Sequence, residues 1–264
     1  MPCASMGTAE PRETGAVRGG GHEDRRRESN RPAFVLHSYP WKETSLVVEL
    51  FTRSHGRIPA VAKGARRPHS PLRGLLMAFQ PVLATWSGKG DLRVLHSAEW
   101  RGGVPQLTGV ALLCGFYVNE LLVKVLARED PHERLFDTYA AAIRDLAGDA
   151  APAAVLRRFE KQLLTELGYA LELTMDADSR APLAAERRYR YAPELGPVES
   201  RAGPVPSDET ETVRGSTLLD MARDDYSDPV TAAESKRLMR ALIHHHFGRL
   251  ELHTRQLVKD LQQL

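Results

Sequence analysis

The sequence predicts an α+β protein: a five-stranded β-barrel of the OB type near the N-terminus, followed by an α-helical domain. Three observations carry that reading. Between Pro32 and about Trp100, five short runs rich in Val, Leu, Ile and aromatic residues are separated by turn residues. From residue 104 onward, apolar residues recur at three- and four-residue spacing, the period of a helix. The charge balance changes at the same place: residues 31–103 are strongly basic, whereas residues 104–264 are mildly acidic, within a chain of 264 residues and net charge +2. That length suggests about two domains. With 42% hydrophobic and 27% charged residues the composition is that of a soluble globular protein, not of a fibrous or membrane-embedded one.

Taken in order, residues 1–30 are rich in Gly, Arg and Glu, have little to bury, and read as a disordered extension without the apolar core of a signal peptide. The barrel spans residues 31–103. Its strands are expected at Phe34–His37, Ser45–Phe51, Arg57–Ala62, Val82–Trp86 and Asp91–His96. Ser54-His55-Gly56 joins the second and third runs by a tight hairpin, and Gly88-Lys89-Gly90 joins the fourth and fifth. A longer connection after the third strand favours the OB barrel over its nearest competitor, an SH3-like barrel.

The helical domain spans residues 104–264. Leu107, Val110, Ala111, Cys114, Val118, Leu121, Leu122 and Val125 define a strongly apolar first helix, broken by Asp130-Pro131. Further helices are expected at about His132–Ala147 and Ala153–Leu167, the latter stopped by Gly168. Residues 176–213, rich in Pro, Glu, Arg and Ser, read as an irregular excursion with at most a hairpin around Tyr189-Arg190-Tyr191. Helices resume at Ser216–Arg223, Pro229–Phe247 and Thr254–Leu261, with Thr254 as N-cap.

Catalytic and metal chemistry find little support. There is no GxxxxGK[ST] loop for ATP and no GxSxG elbow for a serine nucleophile. Glu172, Asp176 and Asp178 fall where a helix gives way to a loop, a usual place for solvated acids. His244-His245-His246 cannot converge on one ion from a helix, where consecutive side chains diverge by about 100°. Two cysteines, Cys3 and Cys114, make neither a disulfide framework nor a four-ligand zinc site, and Cys114 is expected in the core. No catalytic residue, cofactor or metal is therefore assigned, and no stretch has the roughly 18 uninterrupted apolar residues of a membrane span.

The positive signal is the connection after the third strand, Val61–Gly74, which carries Lys63, Arg66, Arg67, Ser70 and Arg73 with Gly64 and Gly74. Glycines let a phosphate approach the backbone, Ser70 can donate to it, and Lys and Arg neutralise it. Arg57, Lys89 and Arg93 add charge elsewhere on the barrel. Those eight residues are the expected DNA-binding set. Tyr39, Trp41, Phe79 and Trp86 lie among them as candidates either for base stacking or for the barrel core. A structural RNA- or ribosome-binding barrel would display the same basic loop.

The motifs resemble one family in order along nearly the whole chain after the tail. They are Phe34-Val35-Leu36-His37-Ser38 with Trp41 and Glu43-Thr44-Ser45-Leu46, then Phe51-Thr52, Gly56-Arg57 and Val61–Arg66. Leu72-Arg73-Gly74, Phe79-Gln80-Pro81, Gly115–Leu122, Leu156–Glu160 and Leu167-Gly168-Tyr169 follow. This series resembles the bacterial DNA repair protein RecO family. The resemblance implies an OB domain on a helical domain, binding of single- and double-stranded DNA, and ATP-independent annealing of complementary strands. It further implies a cytoplasmic, nucleoid-associated mediator that acts with RecR, and in many bacteria RecF, to load RecA onto SSB-coated strands. Many relatives carry a four-cysteine zinc module after the Leu-Gly-Tyr motif; here Met175–Arg180 holds no cysteine, so no zinc is expected. Arg157, Arg158 and Lys161, beside Phe159 and Leu163, offer complementary chemistry to an SSB tail, which ends in acidic residues, an apolar side chain and a free carboxylate.

Overall fold

A computed structural model describes residues 27–200, 212–248 and 250–254. The extension before Arg27 and the helix expected beyond Thr254 lie outside the described residues. Strand β1 (Arg27–Trp41) already begins inside the stretch expected as tail. It is followed by β2 (Ser45–Thr52), β3 (Gly56–Ala62), β4 (Pro81–Ser87) and β5 (Arg93–Trp100). They close in the order β1-β2-β3-β5-β4, with β3 and β5 parallel and the other pairs antiparallel. That is a small Greek-key barrel of the OB kind. Both expected hairpins are in place.

Alternation decides what each strand buries. Ala33 and Val35 of β1 enter the barrel core with Val48, Leu50, Ile58, Ala60 and Ala62, whereas Phe34 and Leu36 face outward into a second core shared with the helices. Phe34 and Phe51 pack on Phe136 and Tyr139 with ring centroids 4.9–5.9 Å apart. A β-bulge then interrupts β1: Val35 lies opposite Leu50 and His37 opposite Glu49, so Leu36 has no residue across from it. The extra residue reverses the alternation. By register Ser38 now lies opposite Val48, and His37, Tyr39 and Trp41 lie on the outer face of a strand end whose residues 37–41 are all exposed.

The helical domain contains α1 (Gly109–Val125), α2 (Glu133–Ala147), α3 (Pro152–Glu166), α4 (Gly215–Ala222) and α5 (Pro229–Phe247). Helix α1 pins the bulge. Asn119 donates from Nδ2 to the Leu36 carbonyl at 2.9 Å, and the buried Tyr139 hydroxyl donates to Asn119 Oδ1 at 2.7 Å. A polar pair is tolerated in this core because each group is satisfied. Gly115 lets α1 approach Phe79, since an added Cβ would lie 2.6 Å from Leu107 and 2.9 Å from Phe79.

The excursion is more ordered than its composition suggests. Strands β6 (Arg188–Ala192), β7 (Gly196–Glu199) and β8 (Thr212–Arg214) form a three-stranded sheet in the order β7-β6-β8, not a lone hairpin. Tyr189, Tyr191 and Val213 on this sheet pack against α4 and α5 in a third core. A hairpin alone is marginal in water; a sheet laid on helices is not. After the Leu167-Gly168-Tyr169 motif, Asp176 organises the chain. Its carboxylate accepts from the Asp178 and Ser179 amides, the Ser179 hydroxyl and the Glu199 amide at 2.7–3.0 Å. These bonds, the Ser179 amide first, hold its pKa below the ordinary carboxylate range.

Candidate nucleic-acid and peptide interfaces

The eight expected DNA contacts do not form one surface. Register places the β1–β2 turn and the connection after β3 at one end of the barrel, with Leu46 opposite Ala62. The β2–β3 and β4–β5 turns lie at the other end, with Thr52 opposite Gly56 and Arg27 opposite Ser87.

At the first end, the connection from Lys63 to Gln80 is a chain of tight turns. Arg67 donates to the Gly64 carbonyl, Ser70 to Arg67 and Arg73 to Ser70, at 3.0–3.2 Å. Ala65, Leu72 and Leu76 plug the barrel from within this loop, so its polar residues are turned outward by the burial of its apolar ones. Lys63, Arg66, Arg67 and Arg73 are exposed and meet no carboxylate among the described residues. Arg66 is also fastened to the β1–β2 turn, its amide donating to Thr44 at 2.9 Å and its guanidinium to Glu43 at 3.2 Å, both through carbonyls. Ser70 has a structural task as well, its hydroxyl accepting from the Leu72 amide at 3.3 Å.

Arg57 and Arg93, at the other end, are committed to the fold. Arg57 pairs with buried Glu49 at 2.9 Å and donates twice to the Leu126 carbonyl at the end of α1. Arg93 pairs with Glu129 at 2.5 Å and also donates to the Gly88 carbonyl. Residues 126–130 thus lie along β3, with the Glu129 amide donating to the Arg57 carbonyl and Asp130 so close to Gly56 that a Cβ there would come within 2.0 Å of its carbonyl oxygen. Arg53 closes the same seam against Glu133 and Asp137 of α2. Lys89 is exposed at this end, apart from the loop cations. Of the aromatics, Phe79 and Trp86 are core residues, whereas Tyr39 and Trp41 are each 41% exposed.

The expected peptide-binding residues also divide. Arg157 lines a cavity of about 570 Å³ walled by α1, α3 and α5, with Leu113, Leu156 and Tyr226 among its apolar surfaces. Its guanidinium pairs with Glu160 at 2.6 Å, and Glu160 also accepts from the Tyr117 hydroxyl at 2.6 Å. Arg157 Nε and the Tyr226 hydroxyl are buried and without a hydrogen-bond partner. Burial pushes the Tyr226 phenol well above its ordinary pKa, so at neutral pH it is a donor. Cys114, half-buried, packs against the helical core as expected and also lines the wall of this cavity, its thiol pKa raised by burial. Arg158 and Lys161 turn away, binding the Asp224 and Met221 carbonyls, with Lys161 paired to Asp224 at 2.6 Å. In their place α5 contributes the exposed cations Lys236 and Arg240 to the cavity. Sequence reading missed these two, since only their four-residue spacing marks them as one helical face.

Among the described residues, no three His, Cys, Asp or Glu side chains are grouped to hold a metal ion, and no helix is long and apolar enough to cross a membrane. Within the histidine tract, His246 stacks on Tyr169 with ring centroids 4.0 Å apart, and His245 lies 3.9 Å from Glu194.

Residues 27–104 match the family described as Recombination protein O N terminal, and residues 106–256 match Recombination protein O C terminal. The DNA repair protein RecO of Nitrosospira multiformis is 54% identical over 241 residues, covering 91% of this chain and 99% of the relative. That of Aromatoleum aromaticum is 53% identical, with the same coverage. The RecO of Paraburkholderia xenovorans is 52% identical over 90% of this chain and 79% of its own.

Proposed function

We propose, starting from the fact that this chain belongs to the RecO family of DNA repair proteins, that it is a recombination mediator with two binding sites of different chemistry. The barrel binds single- and double-stranded DNA through phosphate and anneals complementary strands without ATP. With RecR, and in many bacteria RecF, it loads RecA onto SSB-coated single strands. The observation that carries the DNA-binding reading is the set of four exposed cations, Lys63, Arg66, Arg67 and Arg73, paired with no carboxylate among the described residues and held outward by a loop whose leucines plug the barrel. Neutralising two strands on one rigid surface removes the repulsion that slows their pairing.

The second site is the cavity between α1, α3 and α5. A tail that ends in acidic residues, an apolar side chain and a free carboxylate finds apolar walls there, unused donors on Arg157 and Tyr226, and Lys236 and Arg240 at its wall. A guanidinium–carboxylate bond in so sheltered a place is of the strong, charge-assisted kind. The mediator thus holds SSB by its tail while the barrel engages the strand.

The experiment that tests this reading is annealing of SSB-coated complementary strands in EDTA without ATP. Faster pairing than with SSB alone is the expected result. Dependence on a metal or on hydrolysable ATP refutes it, as does structured RNA displacing single-stranded DNA from the barrel at equal or lower concentration.

A further inference from the structure

We infer that His37, Tyr39 and Trp41 form a ladder of rings on the outer face of β1 that takes up unpaired bases and gives the barrel a preference for single-stranded over duplex DNA. The inference rests on the DNA-binding reading above and assigns the bases a place that the loop cations do not provide.

The ladder exists because of the bulge. Without the extra residue at Leu36, the odd-numbered positions would continue the series Ala33, Val35 into the barrel core. With it, His37, Tyr39 and Trp41 lie opposite Glu49, Val47 and Ser45 on the outside, and all three are exposed. Asn119 holds the register by occupying the Leu36 carbonyl. Rings two residues apart on a strand are separated by about 6.7 Å. That is about twice the 3.4 Å step between stacked bases of one strand, so one base fits between two successive rings. The His37 and Tyr39 centroids are 6.2 Å apart with planes inclined by 33°. A duplex keeps its bases stacked at the shorter step and cannot enter the ladder.

The cations stand beside it. The row through Trp41 continues to Ser45 and then to the position after Ala62, which is Lys63; the Gly64 amide donates to the Ser45 hydroxyl at 3.4 Å, tying the loop to that row. Neighbouring strands lie about 4.8 Å apart, so the Lys63 backbone is about 10 Å from that of Trp41. Bases on the rings and phosphates on Lys63 and Arg66 make one track for a single strand, with Glu49 below it already neutralised by Arg57 and Arg128.

The test uses the full chain with a fifteen-nucleotide oligo(dT) and a duplex of equal length. Trp41→Ala and Tyr39→Ala are each expected to weaken oligo(dT) binding at least about fivefold, the lower end of what base–aromatic stacking contributes. Duplex affinity should stay within about twofold and the salt slope should not change, since no charge is removed. Trp41→Phe should restore oligo(dT) affinity while abolishing most of the tryptophan quenching that oligo(dT) causes in the wild type. Wild-type affinity for oligo(dT) in both alanine variants overturns the ladder while leaving phosphate binding in place. Equal losses on both DNAs overturn it too, since they indicate a structural role. A wild-type protein that binds neither DNA overturns the ladder together with the reading it rests on.

Discussion

Arg57 and Arg66 belong to one basic stretch of sequence and take opposite roles. Arg57 is largely buried against Glu49 and the end of α1, where with Arg53 and Arg93 it fastens the barrel to the helical domain. Arg66, with Lys63, Arg67 and Arg73, stands in solvent on a loop stitched into the other end of the barrel. The difference lies in what surrounds each guanidinium. An arginine near buried acids is consumed by folding, whereas one held away from every acid keeps its field for a polyanion. A count of positive charges cannot separate the two: of the eleven Lys and Arg in residues 31–103, Arg53, Arg57 and Arg93 serve the seam.

Breaking the seam should have the largest effect. Arg57→Ala leaves Glu49 buried and withdraws two donors from the Leu126 carbonyl. Removing one partner of a buried pair costs about 3–5 kcal/mol, and the lower end applies because Arg128 still reaches Glu49 at 3.2 Å. Thermal or denaturant unfolding measures this, and DNA affinity of the folded protein should change by less than about threefold. A variant as stable as wild type but deficient in DNA binding would reverse the comparison.

Replacing Arg66, Arg67 and Arg73 together by Ala is the complementary change. Three lost phosphate contacts, at about 0.7 counterion each for a single strand, flatten the slope of log affinity against log salt by about 2 and weaken binding roughly a hundredfold at 0.1 M salt. Stability should shift by less than about 1 kcal/mol, since the substitutions are on the surface. An unchanged salt slope would remove the loop from the DNA site.

The same contrast holds inside the helical domain. Arg157→Ala should weaken binding of an SSB tail peptide tenfold or more, or about 1.4 kcal/mol, while naked-DNA affinity stays the same. Arg158→Ala and Lys161→Ala should affect the peptide much less, because both residues face the Met221–Asp224 segment. Equal peptide losses at Arg157 and Arg158 would mean that net charge, not the cavity, attracts the tail.

The smallest effect concerns Asp176. A carboxylate whose pKa is depressed in the fold stabilises above its unfolded value near pH 3.9, and that contribution is lost as the pH falls through the folded value. Asp176→Asn should therefore lower stability by about 1 kcal/mol at pH 7 and lose less than wild type between pH 5 and pH 2. Parallel pH–stability curves for the two proteins would show that the carboxylate charge has no part in organising this loop.

What the sequence determined by itself was set by local pattern. Apolar alternation fixed the five barrel strands, and helical periodicity placed α5 at Pro229–Phe247, because both depend on neighbours within a few residues. The outward cations of the connection after β3 were legible for a related reason: no acid stands near them in sequence, and among the described residues the fold pairs none of them with a carboxylate. The ordered family motifs added identity on top of pattern. Other assignments waited for the tertiary structure, since they depend on residues far apart in the chain. Arg57 reads as a free cation until Leu126 arrives beside it, and Lys161 as a ligand-binding one until Asp224 does. Lys236 and Arg240 join Arg157 only when α5 packs beside α3. Tyr39 and Trp41 turn outward through a single extra residue at Leu36, whose freed carbonyl is satisfied by Asn119 across the barrel–helix interface. Periodicity carries no mark of such a residue. Its cost is met by a hydrogen bond that exists only when the two domains are together.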